Sequence, residues 1–172
     1  MPKKIKINVE DHKLLDNSEV CEDVTQVVLP DFEHPTTEVN NVSGMAMNLD
    51  VPNPSRFNST EFQVAHNNGV NCELLDTPGK HIMEFRMARQ TFVTSETDIR
   101  HEGVKFRVTA LFKRVAKGSI DTGNPWGSTV TYGIVRYEEI VDGKQTFLVD
   151  ATGNQLVVNG RSFTDDISNL LN

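Results

Sequence analysis

Three long runs in which apolar and polar residues alternate occupy the centre of the chain, and they fix its fold class. "KHIMEFRMARQTFV" (80–93) sets Met83, Phe85 and Met87 on one face and Glu84, Arg86 and Ala88 on the other. "GVKFRVTALFKRVAKG" (103–118) turns Val104, Phe106, Val108, Ala110 and Phe112 inward, against Lys105, Arg107, Thr109 and Lys113. "STVTYGIVRYEEIV" (128–141) places Val130, Tyr132 and Ile134 on one side. A period of two marks a strand because successive side chains leave the backbone on opposite faces. Asp142-Gly143 is the strongest hairpin signal in the chain, since a two-residue turn of this kind needs positive φ at both positions. It returns the backbone through "KQTFLVD"; a second turn, "ATGN", leads to "QLVV" and then "NGRS".

Shorter segments fill in the rest. Residues 3–9, "KIKINVE", alternate Ile5, Ile7 and Val9 against Lys4, Lys6 and Asn8, the pattern of a half-buried strand. "EVCEDVTQVVL" (19–29) reads as one further strand closed by Pro30, and "STEFQVAH" (59–66) as a short one with Phe62 and Val64 on one face. "VNCELLD" reads as a short helix with Val70 and Leu74 on one side, stopped by Pro78-Gly79. In "SFTDDISNLL", Ser162 is the expected N-cap with Asp165 three residues on, and Phe163, Ile167, Leu170 and Leu171 form one apolar stripe. The expected fold is mainly β: an antiparallel barrel or sandwich with a short internal helix and a C-terminal helix, one domain over residues 1–172. No repeat or low-complexity tract interrupts it.

Residues 31–58 do not fit this pattern. They run for 28 positions with Pro35, Gly44, Pro52 and Pro54 and little periodicity. Structureless connections longer than about 12–15 residues are uncommon in compact domains and tend to be functional. Within the segment, "EVNNVSGMAMNLDVPN" (38–53) alternates only in part, through Val42, Met45, Met47, Leu49 and Val51, which points to an extended hairpin around Val39–Met47. Gly44 permits positive φ or close backbone approach, and Met45 and Met47 are flexible side chains suited to an imperfect gap. Such a segment is a surplus for a lone subunit and a natural contact between subunits.

Catalytic patterns are missing. His12, His34, His66, His81 and His101 fall into no HxH or HExxH spacing, so each is read as a surface or hydrogen-bonded histidine. Asp165 and Asp166 are adjacent and point apart on a helix, where helix-start electrostatics accounts for them better than paired acid–base work. There is no GxSxG, GxxxxGK[ST] or GxGxxG. "TGNPWGST" (122–129) is glycine-rich, but a strand follows it, whereas a phosphate-cradling loop needs a helix N-terminus. Cys21 and Cys72 form no CxxC pair and read as structural thiols. No enzyme activity, metal or cofactor is expected. The net charge of −7 disfavours a surface that grips nucleic acid. No run of 18 apolar residues occurs, and the charged start lacks a signal-type apolar stretch, so the expected site of synthesis is the cytoplasm, with no membrane segment.

Assembly fares better than chemistry. The segment 128–141 is apolar on both faces by simple alternation, with Val135, Tyr137, Ile140 and Val141 beside the first set. A strand needing cover on both faces in a helix-poor chain invites a second subunit, as do long strand edges. The expected ring-closing strand is therefore Val130, Tyr132, Ile134, Val135 and Tyr137. The expected inter-subunit and inter-ring contacts are Ile5, Ile7, Val39, Val42, Gly44, Met45, Met47, Leu49 and Val51.

Along nearly its whole length the sequence resembles the major tail tube protein of contractile-tailed phages and of phage-tail-like bacteriocins. The resemblance rests on "VVLPDFEHPTTEVNNVSGMAMNLDVP" (27–52), on "FKRVAKGSIDTG" (112–123) and on "YEEIVDGKQTFLVDATGNQLVVNGRSF" (137–163). Where the family often has an Asp shortly after the late Asn-Gly, this chain has Arg161-Ser162-Phe163. The resemblance implies a homohexameric ring whose inner sheets join as one barrel, stacked into a hollow tube. It also implies a contractile sheath outside, a tape-measure protein and in a phage DNA in the lumen, and baseplate and tail-terminator proteins at the ends. The location it implies is the virion tail or bacteriocin particle, assembled in the host bacterial cytoplasm. Six copies at −7 each suggest an acidic lumen along which DNA phosphates slide without sticking. Type VI secretion tubes and non-contractile tail tubes are the nearest alternatives; a small β-barrel ligand-binding protein, monomeric around an apolar cavity, is the alternative of another class.

Overall fold

The computed structural model describes residues 3–172. Twelve strands and two short helices follow one another: β1 Lys4–Asp16, β2 Glu19–Cys21, β3 Val24–Val28, β4 Thr36–Val39, β5 Leu49–Pro52, β6 Glu61–His66, α1 Cys72–Leu75, β7 Lys80–Val93, β8 Asp98–Ala116, β9 Ser128–Val141, β10 Lys144–Asp150, β11 Gln155–Val158, β12 Arg161–Ser162 and α2 Asp165–Leu171. All pairings are antiparallel, and ten strands form one sheet, eight of them in the order β12-β11-β10-β9-β8-β7-β1-β2 with β6 and β3 on a side branch. The mainly β, antiparallel expectation with two helices holds.

The sheet forks at β9. Its first half (Ser128–Gly133) pairs with β6, which in turn carries β3, and its second half (Arg136–Val141) pairs with β10. The other edge of β9 lies along β8 throughout. The β6–β3 branch and the β1–β2 end fold over the inner face of β7–β8–β9. They enclose a core that includes Leu14, Phe62, Val64, Met83, Phe106 and Tyr132. His12 Nε2 lies 2.9 Å from the Val24 carbonyl, tying β1 to β3 by a side chain where no ladder joins them.

Two bulges set which residues reach this core. Thr109 faces Arg136 and Ala110 faces Ile134, so Val135 is one residue extra on β9. Phe112 faces Tyr132 and Arg114 faces Thr131, so Lys113 is extra on β8. Each extra residue reverses the alternation beyond it. On β9 the reversal brings Tyr137 and Val141 to the same face as Val130, Tyr132 and Ile134, and all five belong to or pack on the core. The apparent two-faced apolarity of 128–141 is thus largely one face read across a bulge.

Several local expectations are corrected. Segment 19–29 is two strands, because Glu22 and Asp23 turn between them, with Asp23 at φ 60°. The strand begun at residue 3 continues to Asp16, and its first half is exposed on both faces in the single chain. In α1 it is Cys72 and Leu75 that are buried, while Val70 and Leu74 face outward. Ser162 lies in β12, drawn there by the Asn159-Gly160 turn, and Thr164 is the N-cap of α2 with no side-chain capping bond.

The polar core is organised around α1. His81 and Asp16 are both buried, with Nδ1 and Oδ2 2.7 Å apart. The other ring nitrogen lies 2.6 Å from the Thr77 carbonyl, which can only accept, so Nε2 carries a proton. Burial pushes the Asp16 carboxyl upward against the opposing pull of His81. Tyr132 donates to the Leu75 carbonyl at 2.5 Å, and burial raises its hydroxyl pKa, as does the nearby Asp16 charge. Cys21 and Cys72 are free and buried, and burial pushes the Cys21 thiol up to about 12.

Candidate assembly surfaces

The segment 31–58 contains a hairpin of its own, and its strands are not those expected. β4 and β5 pair as Thr36 with Pro52, Thr37 with Val51, Glu38 with Asp50 and Val39 with Leu49, so 40–48 is the tip and not the strands. This two-stranded sheet is separate from the main one. Every residue from Asn40 to Pro54 is exposed. The alternation puts Val39, Leu49 and Val51 on one face of the hairpin and Glu38 and Asp50 on the other. Gly44 takes φ 90°, which a glycine adopts without strain. Met47 is 74% exposed, and Val42, Met45, Leu49 and Val51 are exposed beside it.

The root of this arm is fixed. Asn53 N donates to the Pro35 carbonyl at 2.8 Å and Asn58 N to the Glu33 carbonyl at 2.8 Å, closing a neck. Phe32 lies 5.2 Å from Phe57, 5.1 Å from Tyr137 and 5.0 Å from Phe147, ring centre to ring centre, in tilted arrangements that favour aromatic pairs. His34 stacks on Phe57 at 4.4 Å, and its Nδ1 lies 2.7 Å from the Arg56 carbonyl. The aromatic cluster bolts the arm to β9 and β10, and the arm beyond it touches nothing comparable.

A second exposed surface is the free end of the sheet. β1 pairs with β7 along its length and with β2 only over Leu14–Asp16, so among the described residues nothing pairs with the outer edge of Lys4–Lys13. Ile5 is 42% exposed and Ile7 53%, with Phe92 and Ile99 following Ile5 across the ribbon. Lys6 and Arg89 share Glu102, at 2.6 and 2.7 Å, and hold its carboxyl below the usual range against the opposing effect of burial.

The outer face of β7–β8–β9 is charged in register. Glu84, Arg107 and Glu138 form one cross-strand row, and Arg86 and Lys105 lie in the next. Partial burial would raise Glu84, but Arg86, Lys105 and Arg107 around it hold it low. Arg136 bridges Glu138 at 3.1 Å and Asp150 at 3.7 Å. Asp150 is held low by the N–H of Gly153, by Thr152 and by Arg136. Lys113 and Arg114 share Glu61. Six cations therefore meet four carboxylates on this face of an acidic chain.

The expected ring-closing strand is corrected by the ladder. β9 has both edges occupied within the chain, and at the fork Ile134 N bonds the Thr60 carbonyl while Val135 O accepts from Ala151 N. Val130, Tyr132 and Tyr137 are buried in the subunit's own core. The reasoning from alternation also missed α2 as a surface: Leu170 and Leu171 are 86% and 81% exposed, so its stripe is uncovered. Among the described residues no three His, Cys, Asp or Glu side chains gather as a metal site, and no helix is long and apolar enough to cross a membrane.

A ten-stranded sheet with a filled core, a tethered arm and an open edge defines a protein built for assembly. The family model of phage tail tube protein FII matches residues 12–171, and the chain belongs to that family. The family is structural and not enzymatic, and the chain is accordingly a tail-tube-type component of a phage-tail-like particle. Among solved structures the fold is similar to a chain in the sheath/tube terminator of an extracellular contractile injection system, PVC, in its extended state. The TM-score is 0.54 at 16% identity, covering 77% of this chain and 95% of that one. A chain of the anti-feeding prophage (AFP) baseplate is more distantly similar, with TM-score 0.41 and 11% identity over 81% of this chain and 91% of that one. No curated protein matches by sequence.

Proposed function

We propose that the chain is the repeating subunit of the inner tube of a contractile tail, closing as hexameric rings that stack into a hollow cylinder. A sheath surrounds the cylinder, a tape-measure protein and in a phage the DNA occupy its channel, and baseplate and terminator proteins sit at its ends. The single observation that carries this reading is the arm. A rooted hairpin with an exposed apolar face is a cost to a monomer and a contact for a polymer. Isolated two-stranded hairpins are marginal in water, so an arm of this kind gains its stability from a neighbour. The acidic-lumen expectation carries over only if a surface other than the outer face of β7–β8–β9 lines the channel, since cations outnumber carboxylates there.

Negative-stain electron microscopy of the purified chain, with sedimentation over a concentration series, tests the proposal. The expected result is hollow tubes with a regular axial repeat. Rings that never stack would mark an end-capping subunit, and a monomer at every concentration would sink the reading. Secretion ATPase genes beside this one would redirect it to a type VI tube, and absence of a neighbouring sheath gene to a non-contractile tail.

A further inference from the structure

We infer that the arm hairpin of one copy adds as strands to the open edge of β1 in another copy, with Glu38 and Asp50 meeting Lys4 and Lys6. The inference rests on the tube reading and says which two surfaces of the subunit meet. Three observations carry it.

The first is an unbalanced pair. Glu38 and Asp50 stand directly opposite each other across the hairpin, and neither has an ion-pair partner among the described residues. Like charges in that position destabilise a hairpin, so the arm carries a deficit that a cation from outside would cancel. From Thr36 to Pro52 the arm holds no cation at all.

The second is the matching surplus on β1. Between Lys3 and Val9 there are three lysines and no carboxylate, and Lys3 and Lys4 have no ion pair among the described residues. Lys6 and Arg89 share the single carboxylate of Glu102, leaving that group cationic.

The third is geometry. Both surfaces are strands with unused backbone donors and acceptors along one edge. Each has one apolar and one charged face: Ile5 against Lys4 and Lys6 on β1, and Val39, Leu49 and Val51 against Glu38 and Asp50 on the arm. Laid edge to edge in one sheet, lysines flank carboxylates on one side and isoleucine flanks valine and leucine on the other. Backbone pairing of this kind supplies affinity, and the two faces supply register. Within one chain both surfaces remain exposed, so neither covers the other. Lysines on a long edge otherwise protect it from indiscriminate pairing, and here they would select an acidic strand.

A charge swap tests the inference. One variant carries Lys4→Glu with Lys6→Gln, and the other carries Glu38→Lys with Asp50→Lys; circular dichroism and melting confirm that each folds. Each variant alone should need roughly tenfold or more protein than the wild type to form polymer, because facing like charges are strongly unfavourable. An equimolar mixture should recover polymer, as should a single chain bearing all four changes. Wild-type assembly with either variant alone, or no recovery in mixture and combined chain, would overturn the inference while leaving the tube reading intact. A wild-type chain that never polymerises would overturn the tube reading, and this inference with it.

Discussion

The two ends of the strand system obey different rules. Around β6, β7, β8 and β9 the apolar side chains are satisfied inside the subunit: Phe62, Val64, Ala110, Val130 and Tyr132 are fully buried. In the arm and in the first half of β1 the same residue types, with the same alternation, lie in solvent. Composition does not separate the regions. What separates them is whether a second layer of the same chain lies across them, and only the first region has one. Apolar periodicity therefore states that a face will be covered without stating by which chain.

The contrast can be broken most forcefully from the core side. Phe62→Ala should cost about 3–5 kcal/mol, the usual range for deleting a fully buried aromatic ring, read as a lower urea midpoint with little change in slope. Inserting one residue between Arg136 and Tyr137 should be nearly as severe, because Tyr137 and Val141 would turn away from the core; the expected result is aggregation or loss of the cooperative thermal transition. At the arm root, Phe32→Ala should cost less, about 1–3 kcal/mol for a half-buried ring, with faster proteolysis between residues 31 and 58 as its distinguishing sign. Acid sharpens the picture on the outer face. Glu84, Glu102 and Asp150 are held below their ordinary values, so each adds stability that is full above about pH 5 and is lost as pH falls through its lowered value. Asp150→Asn should flatten that acid limb in a plot of unfolding free energy against pH. The smallest effect on folding should come from the arm tip: Met45→Asp is expected within about 0.5 kcal/mol of wild type, yet to block tube growth in the microscope.

The legible part of the fold was the part governed by local alternation. β7, β8 and β9 follow from Met83–Met87, Val104–Phe112 and Val130–Ile134, and the Asp142-Gly143 turn announces itself, with φ 50° and 78°. The bulges did not announce themselves. Val135 and Lys113 are ordinary strand residues, and only the ladder shows that each is extra. That silence produced the main error at the candidate site, where one buried face of β9 read as two and was assigned to a neighbouring subunit. The break at Glu22-Asp23 was hidden for a related reason: an aspartate in the left-handed region replaces the glycine that would have flagged the turn. The arm was legible as an anomaly but not in its strand limits. Its pairing depends on the neck at Pro35 and Asn53 and on the Phe32–Phe57 root, contacts between residues about twenty positions apart.

In the proposed contact the arm and the open edge of β1 are different surfaces of one subunit, one giving and one receiving. A contact between unlike surfaces that repeats from ring to ring gives the proposed stack a direction. One end is left with spare arms and the other with spare edges. A protein that recognises the arm can stop growth only at the first end, and one that offers an arm-like strand can stop it only at the second. In the proposed polymer, length control and start-site control are thereby chemically separable although the subunits are of a single kind.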